Sequence, residues 1–387
     1  MPDYFPLPDD EGGWRTCDPA HVGMDVQKLD EAFDFVKGST KNGGLAIVKD
    51  GHLIYERYFG KGHREMAPNL ASCGKSFTSI AMGILMGEMP DRFPDGLDQK
   101  VFTSDYLPEK AFPLPDPKMA DIKLGHLLTM TAGIRGNNPA CVNGEDVILD
   151  PMGPDGWQGM TDHYALGIQE CDTNGVPFTT RTLWCEPGGG YSYATASIHI
   201  VSIIVRHLTG MELQDYVAEK LARPLGWGRW NFAYRNAKEV DHTPGGGGIA
   251  LRATDMLRFL YLLLKRGGWR GQQMVPEDYV NLCANPSPYN PHFPYSLQFT
   301  VNGRGDHSEL PTDAYWKAGS GGHALYVVPS QNLVVWKLGG RDDQYGEHNT
   351  GLAILPEAIE AEESRDDWQK LAEDGPALLK TLALVVA

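Results

Sequence analysis

Basic side chains are scarce relative to acidic ones in this chain. Its 387 residues carry 34 lysines and arginines against 50 aspartates and glutamates, a formal charge of −16. No Lys/Arg-rich tract occurs anywhere. A surface of that sign repels a phosphate backbone, which argues against nucleic acid as a partner. Long apolar runs are missing too. The best candidate, "IHIVSIIVRHL", is interrupted by His199, Arg206 and His207, so a membrane partner is not expected. The opening "MPDYFPLPDDEGGW" has neither the positive nor the apolar region of a secretory signal. Six cysteines (Cys17, Cys73, Cys141, Cys171, Cys185 and Cys283) show no CxxC and no zinc-ligand spacing, so reduced core thiols are expected rather than a disulfide framework. The 12 histidines include no His-Glu-x-x-His, and no cofactor or metal is expected. These absences leave a cytoplasmic enzyme of small molecules as the default expectation.

What is present suffices for a large core, since 42% of the residues are hydrophobic. Asp25 is placed to cap a helix in which Leu29, Ala32, Phe33 and Val36 share one face. In "GLAIVKDGHLIYERYFG", two β-prone runs flank Asp50-Gly51, a dipeptide suited to a type I′ hairpin. Strand signals fade between about residues 95 and 225, where "LGHLLTMTAGI" and "ATASIHIVSIIVRHLTG" read as helices. They return in "YSLQFTVNG", "AYWKAG" and "HALYVVPSQNLVVWKLGG", the last with a turn over Pro329, Ser330, Gln331 and Asn332. The tail "PEAIEAEESRDDWQKLAEDGPALLKTLALVVA" reads as two helices. The fold class expected is α/β (α+β). An antiparallel sheet of five or more strands, flanked by helices, is built from residues 1–84 and 225–387. Residues 85–224 form an inserted all-helical lobe, with a loop-rich insert at about 135–175 and a cleft between the lobes.

The stretch "ASCGKSFTSIAMGI" places Ser72 and Lys75 at the mouth of a buried helix. A serine hydroxyl needs an adjacent base to attack a carbonyl. Residues i and i+3 share a helix face, and burial is the setting in which a lysine gives up its charge. Ser72 at the helix start also lies where the dipole favours a developing oxyanion. Alone, the pair is a weak signal that reads more readily as a capping serine with a solvated lysine. In "EPGGGYSYATAS", Tyr193 is a phenol able to relay a proton, or else Tyr191 and Tyr193 are core aromatics. In "YWKAGSGGH", Lys317 puts a cation on a strand and Gly319 allows close backbone approach, or else the glycines mark an edge bulge.

Together these three stretches resemble the serine β-lactamase and penicillin-binding-protein superfamily. The likeness is closer to its class C β-lactamase branch, with the family VIII carboxylesterases, D-aminopeptidases and nylon-oligomer hydrolases. It runs from about residue 25 to 340 and includes the hairpin around Asp50, "LGHLLTMTAGI", "GGGGIALRATDMLRFLYLLLKRGG" and the last hairpin. The resemblance implies a β-lactamase/transpeptidase-like fold with Ser72 as acyl-accepting nucleophile and Lys75 as its base. Tyr193 then shares the proton relay, and the backbone N–H groups of Ser72 and Ser320 form an oxyanion hole. Lys317 tunes Tyr193 or receives a substrate carboxylate. Trp316, Gly319, Thr195 and, in the insert, Tyr164 are candidate substrate contacts.

Two positions depart from the branch's pattern. Thr195 stands where it has Asn, and Ala318 where Lys-Thr-Gly has a hydroxyl. Both remove groups suited to β-lactams and peptides. The expectation is therefore a serine hydrolase of carboxylic esters or small amides. A β-lactamase or D-amino-acid peptidase, an acyltransferase, and a catalytically silent binding protein on the same fold stay open. Cys73 is a poorer nucleophile candidate, because residue i+1 points about 100° away from the Ser72 face. The nearest approach to Gly-x-Ser-x-Gly, around Ser192, lacks its last glycine.

Overall fold

The computed structural model describes residues 4–114, 116–149, 182–233, 243–355, 361–365, 367–369 and 376–387. Asp25 caps helix α1 (Val26–Ser39), its carboxylate accepting the Gln27 N–H, and Leu29, Ala32, Phe33 and Val36 are buried as one stripe. Strands β1 (Gly43–Lys49) and β2 (His52–Phe59) follow. Asp50 and Gly51 both take positive φ, 51° and 75°, as a type I′ turn requires.

At the other end of the chain lie β9 (Tyr295–Ser296), β10 (Phe299–Val301), β11 (Tyr315–Gly319), β12 (His323–Val328) and β13 (Leu333–Leu338). They join the first hairpin in one seven-stranded sheet, ordered β2-β1-β13-β12-β11-β10-β9. Every neighbouring pair is antiparallel. Three two-stranded ribbons stand apart: β3 (Ala140–Val142) with β4 (Glu145–Val147), β5 (Trp230–Phe232) with β6 (Ile249–Leu251), and β7 (Gly268–Trp269) with β8 (Gln272–Gln273).

Strand periodicity assigns the two faces of the sheet. Leu45, Ile47, Trp316, Tyr326 and Val335 meet α1 and the C-terminal helix on one side. Ala46, Val48, Tyr315, Leu325, Val327 and Trp336 meet the remaining helices on the other. Among those helices are α2 (Gly74–Glu88), the single turn α3 (Leu124–Leu128), α4 (Thr195–Thr209), α5 (Ala253–Leu264) and α6 (Glu277–Ala284). One apolar cluster runs unbroken from that sheet face into α2, α4 and α5. At its centre Phe77 of α2 stacks on Phe259 of α5, centroids 3.9 Å apart.

Three sequence expectations are corrected. "LGHLLTMTAGI" is helical only to Leu128, and Met130 turns left-handed at φ 59°. "YSLQFTVNG" is not one strand, because Leu297 and Gln298 take positive φ (38° and 73°) and fold it into the β9–β10 hairpin. The tail holds one described helix, α7 (Pro376–Val386), while Glu362 pairs with Phe59 beside β2 instead of sitting in a helix. The five described cysteines are free thiols. Among the described residues no helix is long and apolar enough to cross a membrane.

Candidate active site

Helix α2 begins against the sheet. The Ala71 N–H donates to Asn69 Oδ1 at 2.9 Å, and Ala71 takes a left-handed φ of 47°. A 3₁₀ turn over Ala71–Cys73 then runs into α2 at Gly74. Every residue from Gly74 to Leu85 is buried. The Ser72 hydroxyl does not cap this helix, contrary to the simplest reading of the sequence. It lies 2.9 Å from Lys75 Nζ and is hydrogen-bonded to it. Lys75 is only 2% exposed and also donates to the Gly246 carbonyl at 2.9 Å.

Tyr193 arrives from the turn before α4, fixed by its carbonyl accepting the Asn137 N–H at 3.0 Å. Its ring centre is 5.4 Å from Lys75 Nζ and 4.6 Å from Lys317 Nζ. Lys317, on the α2-facing side of β11, donates to Tyr193 Oη at 2.9 Å and to Tyr295 Oη at 2.5 Å. The two lysines thus bracket one phenol, and the serine bonds the first of them.

Gly319 brings β11 against the Ser72 turn. A Cβ at this position would lie 2.4 Å from the Leu70 carbonyl oxygen and 3.0 Å from Cys73 Sγ, so only glycine permits the approach. Cys73 itself is fully buried core. The turn from Gly319 to Gly322 has every carbonyl engaged. Gly319 O accepts from Gly322 N, Ser320 O from Gln344 Nε2 at 3.0 Å, Gly321 O from Gly340 N, and Gly322 O from Lys337 Nζ. Gln344 Nε2 donates equally to Asn69 O at 2.9 Å, and the Asn69 N–H donates back to Gln344 O at 2.8 Å. One buried amide therefore ties the segment before Ser72 to the turn that carries Ser320.

The remaining expected contacts fall as follows. Thr195 opens α4 and packs on Gly246, where a Cβ would be 2.5 Å from Thr195 Cγ2. It thereby flanks the carbonyl that Lys75 uses. Trp316 is a correction: side chains alternate along β11, so its ring lies on the opposite sheet face, in the α1 core and beside His307. It cannot line a cleft with Lys317. Tyr164 and residues 150–175 of the insert lie outside the described residues. Tyr295, Gln298 and Gln344 were missed: Tyr295 and Gln298 sit in the apolar stretch "FPYSLQFTV" and Gln344 in the polar stretch "RDDQYGE", and neither stretch carries a motif that singles them out. Among the described residues no cluster of His, Cys, Asp or Glu could hold a metal ion.

The chain is similar to several known proteins. The D-aminopeptidase of Cereibacter sphaeroides is 25% identical over 221 residues, 52% of this chain and 36% of the relative. The chain thus spans about a third of the length of the curated relatives it matches. A family VIII carboxylesterase superposes with a TM-score of 0.62 at 15% identity, over 96% of this chain and 98% of that one. EstCE1, described as a hydrolase with promiscuous acyltransferase activity, gives 0.60 at 18% identity, over 82% and 96%. At such identities the two structures speak for the fold, which is β-lactamase/transpeptidase-like. The profile described as Beta-lactamase matches residues 26–354, and with that span covered the chain belongs to the beta-lactamase family.

Proposed function

We propose that the protein is a serine hydrolase that cleaves carboxylic esters or small amides through an acyl-enzyme on Ser72. The observation that carries this reading is the hydroxyl of Ser72 bonded at 2.9 Å to a lysine that is 2% exposed. Little water reaches that amine, which is the condition a lysine base requires. Lys75 takes the Ser72 proton as Oγ bonds to the substrate carbonyl carbon. The carbonyl oxygen becomes an oxyanion, received by the backbone N–H groups of Ser72 and Ser320. Collapse of the adduct breaks the bond to the alcohol or amine, and Tyr193 Oη supplies the proton that this leaving group takes up. The proton held by Lys75 then restores Tyr193. Water repeats the sequence against the ester carbonyl and releases the acid.

Lys317 serves Tyr193 in this scheme rather than a substrate carboxylate, because two of its three N–H donors already go to phenols. That, with Thr195 and Ala318 in place of Asn and Thr, favours neutral acyl substrates over β-lactams. The relatives named as a carboxylesterase, a hydrolase with promiscuous acyltransferase activity and a D-aminopeptidase support hydrolysis in general without selecting among substrates.

The test is intact-mass detection of an adduct with a serine-directed phosphonate. It is paired with rates on p-nitrophenyl esters, nitrocefin, D-amino-acid amides and linear amide oligomers. One adduct mapping to Ser72, absent in Ser72→Ala, is expected. An adduct elsewhere overturns the site, and nitrocefin hydrolysis much faster than any ester overturns the substrate class.

A further inference from the structure

The β9–β10 turn is made of the wrong residues for its shape. Two successive left-handed residues call for Asn or Gly, yet Leu297 and Gln298 occupy them, both fully buried. Such backbone is strained and persists where surrounding contacts hold it. Here the holders are known. Ser79 Oγ donates to the Leu297 carbonyl at 2.8 Å and Ser76 Oγ to the Gln298 carbonyl at 3.0 Å. Both serines belong to α2, the helix that carries Lys75 and follows directly from Ser72.

The side chain of Gln298 has only one possible orientation. Its Nε2 donates to the Leu128 carbonyl at 2.8 Å, so Oε1 faces Tyr295 Oη at 2.8 Å. An amide oxygen only accepts, so the single Tyr295 proton points at Gln298. Toward Lys317, 2.5 Å away, Tyr295 therefore offers lone pairs alone. The same amine lies 2.9 Å from Tyr193 Oη. Donor direction thus runs from Lys317 to Tyr295, and to Tyr193 as well while the amine is charged.

From this we infer that Gln298 and Tyr295 are positioning residues that hold Lys317 as the donor to Tyr193 and so direct the Tyr193 proton away from Lys317, toward the reacting bond. The inference rests on the Ser72 reading above. With the arm in place, Tyr193 gives its proton to the leaving group, and the oxygen left behind keeps its bond from Lys317. Without it, Lys317 loses an acceptor that favours its charged form. The ionisable groups around Lys317 come from several elements. Tyr191 and Tyr193 precede α4, Tyr295 lies on β9, Cys73 and Lys75 lie at α2, and Cys141 lies on β3. Any pH profile therefore reports the whole set.

The test uses Tyr295→Phe and Gln298→Met in the full chain, with an activated p-nitrophenyl ester and an alkyl ester of the same acid. A p-nitrophenolate departs without help, whereas an alkoxide needs the Tyr193 proton. Both variants are expected to lose about tenfold or more in kcat/KM on the alkyl ester and less than about threefold on the p-nitrophenyl ester. The basic limb of the alkyl-ester profile should move to lower pH. Equal losses on both esters, or an unmoved basic limb, overturn the inference. Tyr295→Phe preserves shape, and a melting curve beside each assay separates misfolding from lost positioning. Failure of the underlying reading shows differently, as activity or phosphonate labelling that survives Ser72→Ala in the parent enzyme.

Discussion

Gln344 and Asn69 grip each other twice, backbone to backbone at 2.8 Å and amide to carbonyl at 2.9 Å. The second hydrogen of the Gln344 amide holds the Ser320 carbonyl. One side chain thus ties together the segments that carry the Ser72 and Ser320 peptide groups, proposed to receive the oxyanion. Gln344→Ala should lower kcat about 10- to 100-fold while KM stays within about twofold, since the interaction matters only as charge develops on the carbonyl oxygen. Steady-state kinetics on a p-nitrophenyl ester decide it, and an unchanged kcat sinks the idea.

Gly319→Ala tests the contact between β11 and the Ser72 turn. Its Cβ would meet backbone at 2.4 Å, and backbone cannot swing aside as a side-chain tip can. We expect a stability loss of about 1–3 kcal/mol together with slower phosphonate labelling of Ser72. Full stability and full labelling would contradict the geometry.

The ion network under α5 should matter for folding alone. Asp255 is fully buried and bridges Arg252 at 2.8 Å and Arg258 at 2.7 Å, while Asp9 and Glu65 complete the set. Asp255→Ala leaves two arginines without their shared carboxylate, and about 3–5 kcal/mol of stability should go with it. A urea midpoint within error of the parent protein would show the network to be dispensable.

Acid should unfold the protein through two histidines as well as through its carboxylates. Burial, reinforced by Lys123, pushes His126 down to about 4. Burial, with Lys337 and Arg341 nearby, pushes His323 down to about 3. In the unfolded chain both take protons near pH 6.5. Below that pH the unfolded state binds more protons, so stability falls as pH falls, until the folded values are reached. Each histidine contributes about 1.4 kcal/mol per pH unit inside its window. Urea midpoints should drop between pH 7 and pH 5, and His126→Gln should make the drop shallower. A midpoint flat over that range would refute the assignment of both groups as neutral.

Thr195→Asn tests what the missing amide withholds. An Asn side chain adds a donor and an acceptor for a substrate amide, so the ratio of amide to ester turnover should rise. A ratio that stays put or falls would mean that selectivity lies elsewhere in the cleft.

Much of this architecture was legible in the sequence where local chemistry and global fold agree. Asp50-Gly51, the Asp25 cap and the apolar stripe of α1 each specify their element without help from distant residues. The helix beginning at Thr195 and the turn at Pro329 are of the same kind. That Ser72, Lys75 and Tyr193 come together was legible because spacing and glycine context travel together. Leu297 and Gln298 were not, since their conformation is imposed by Ser76 and Ser79 from another part of the chain. Trp316 was misplaced because motif adjacency says nothing of which face of a strand a side chain takes. Glu362 was read as helical, yet its N–H donates to the Tyr58 carbonyl and its carbonyl accepts the Gly60 N–H, so pairing with distant β2 holds it extended while its carboxylate bridges Arg57 and Lys37.

The pairing of β1 with β13 also sets an order of events during synthesis. Residues 43–49 find their neighbour only when residues 333–338 have been made, and loop closure over that separation is slow. Until then β12 and β11 lack the strand that carries them to the Ser72 turn. An emerging chain thus holds Ser72 and Lys75 long before it holds the strand that packs against their turn, and the proposed acyl transfer must wait until the sheet closes.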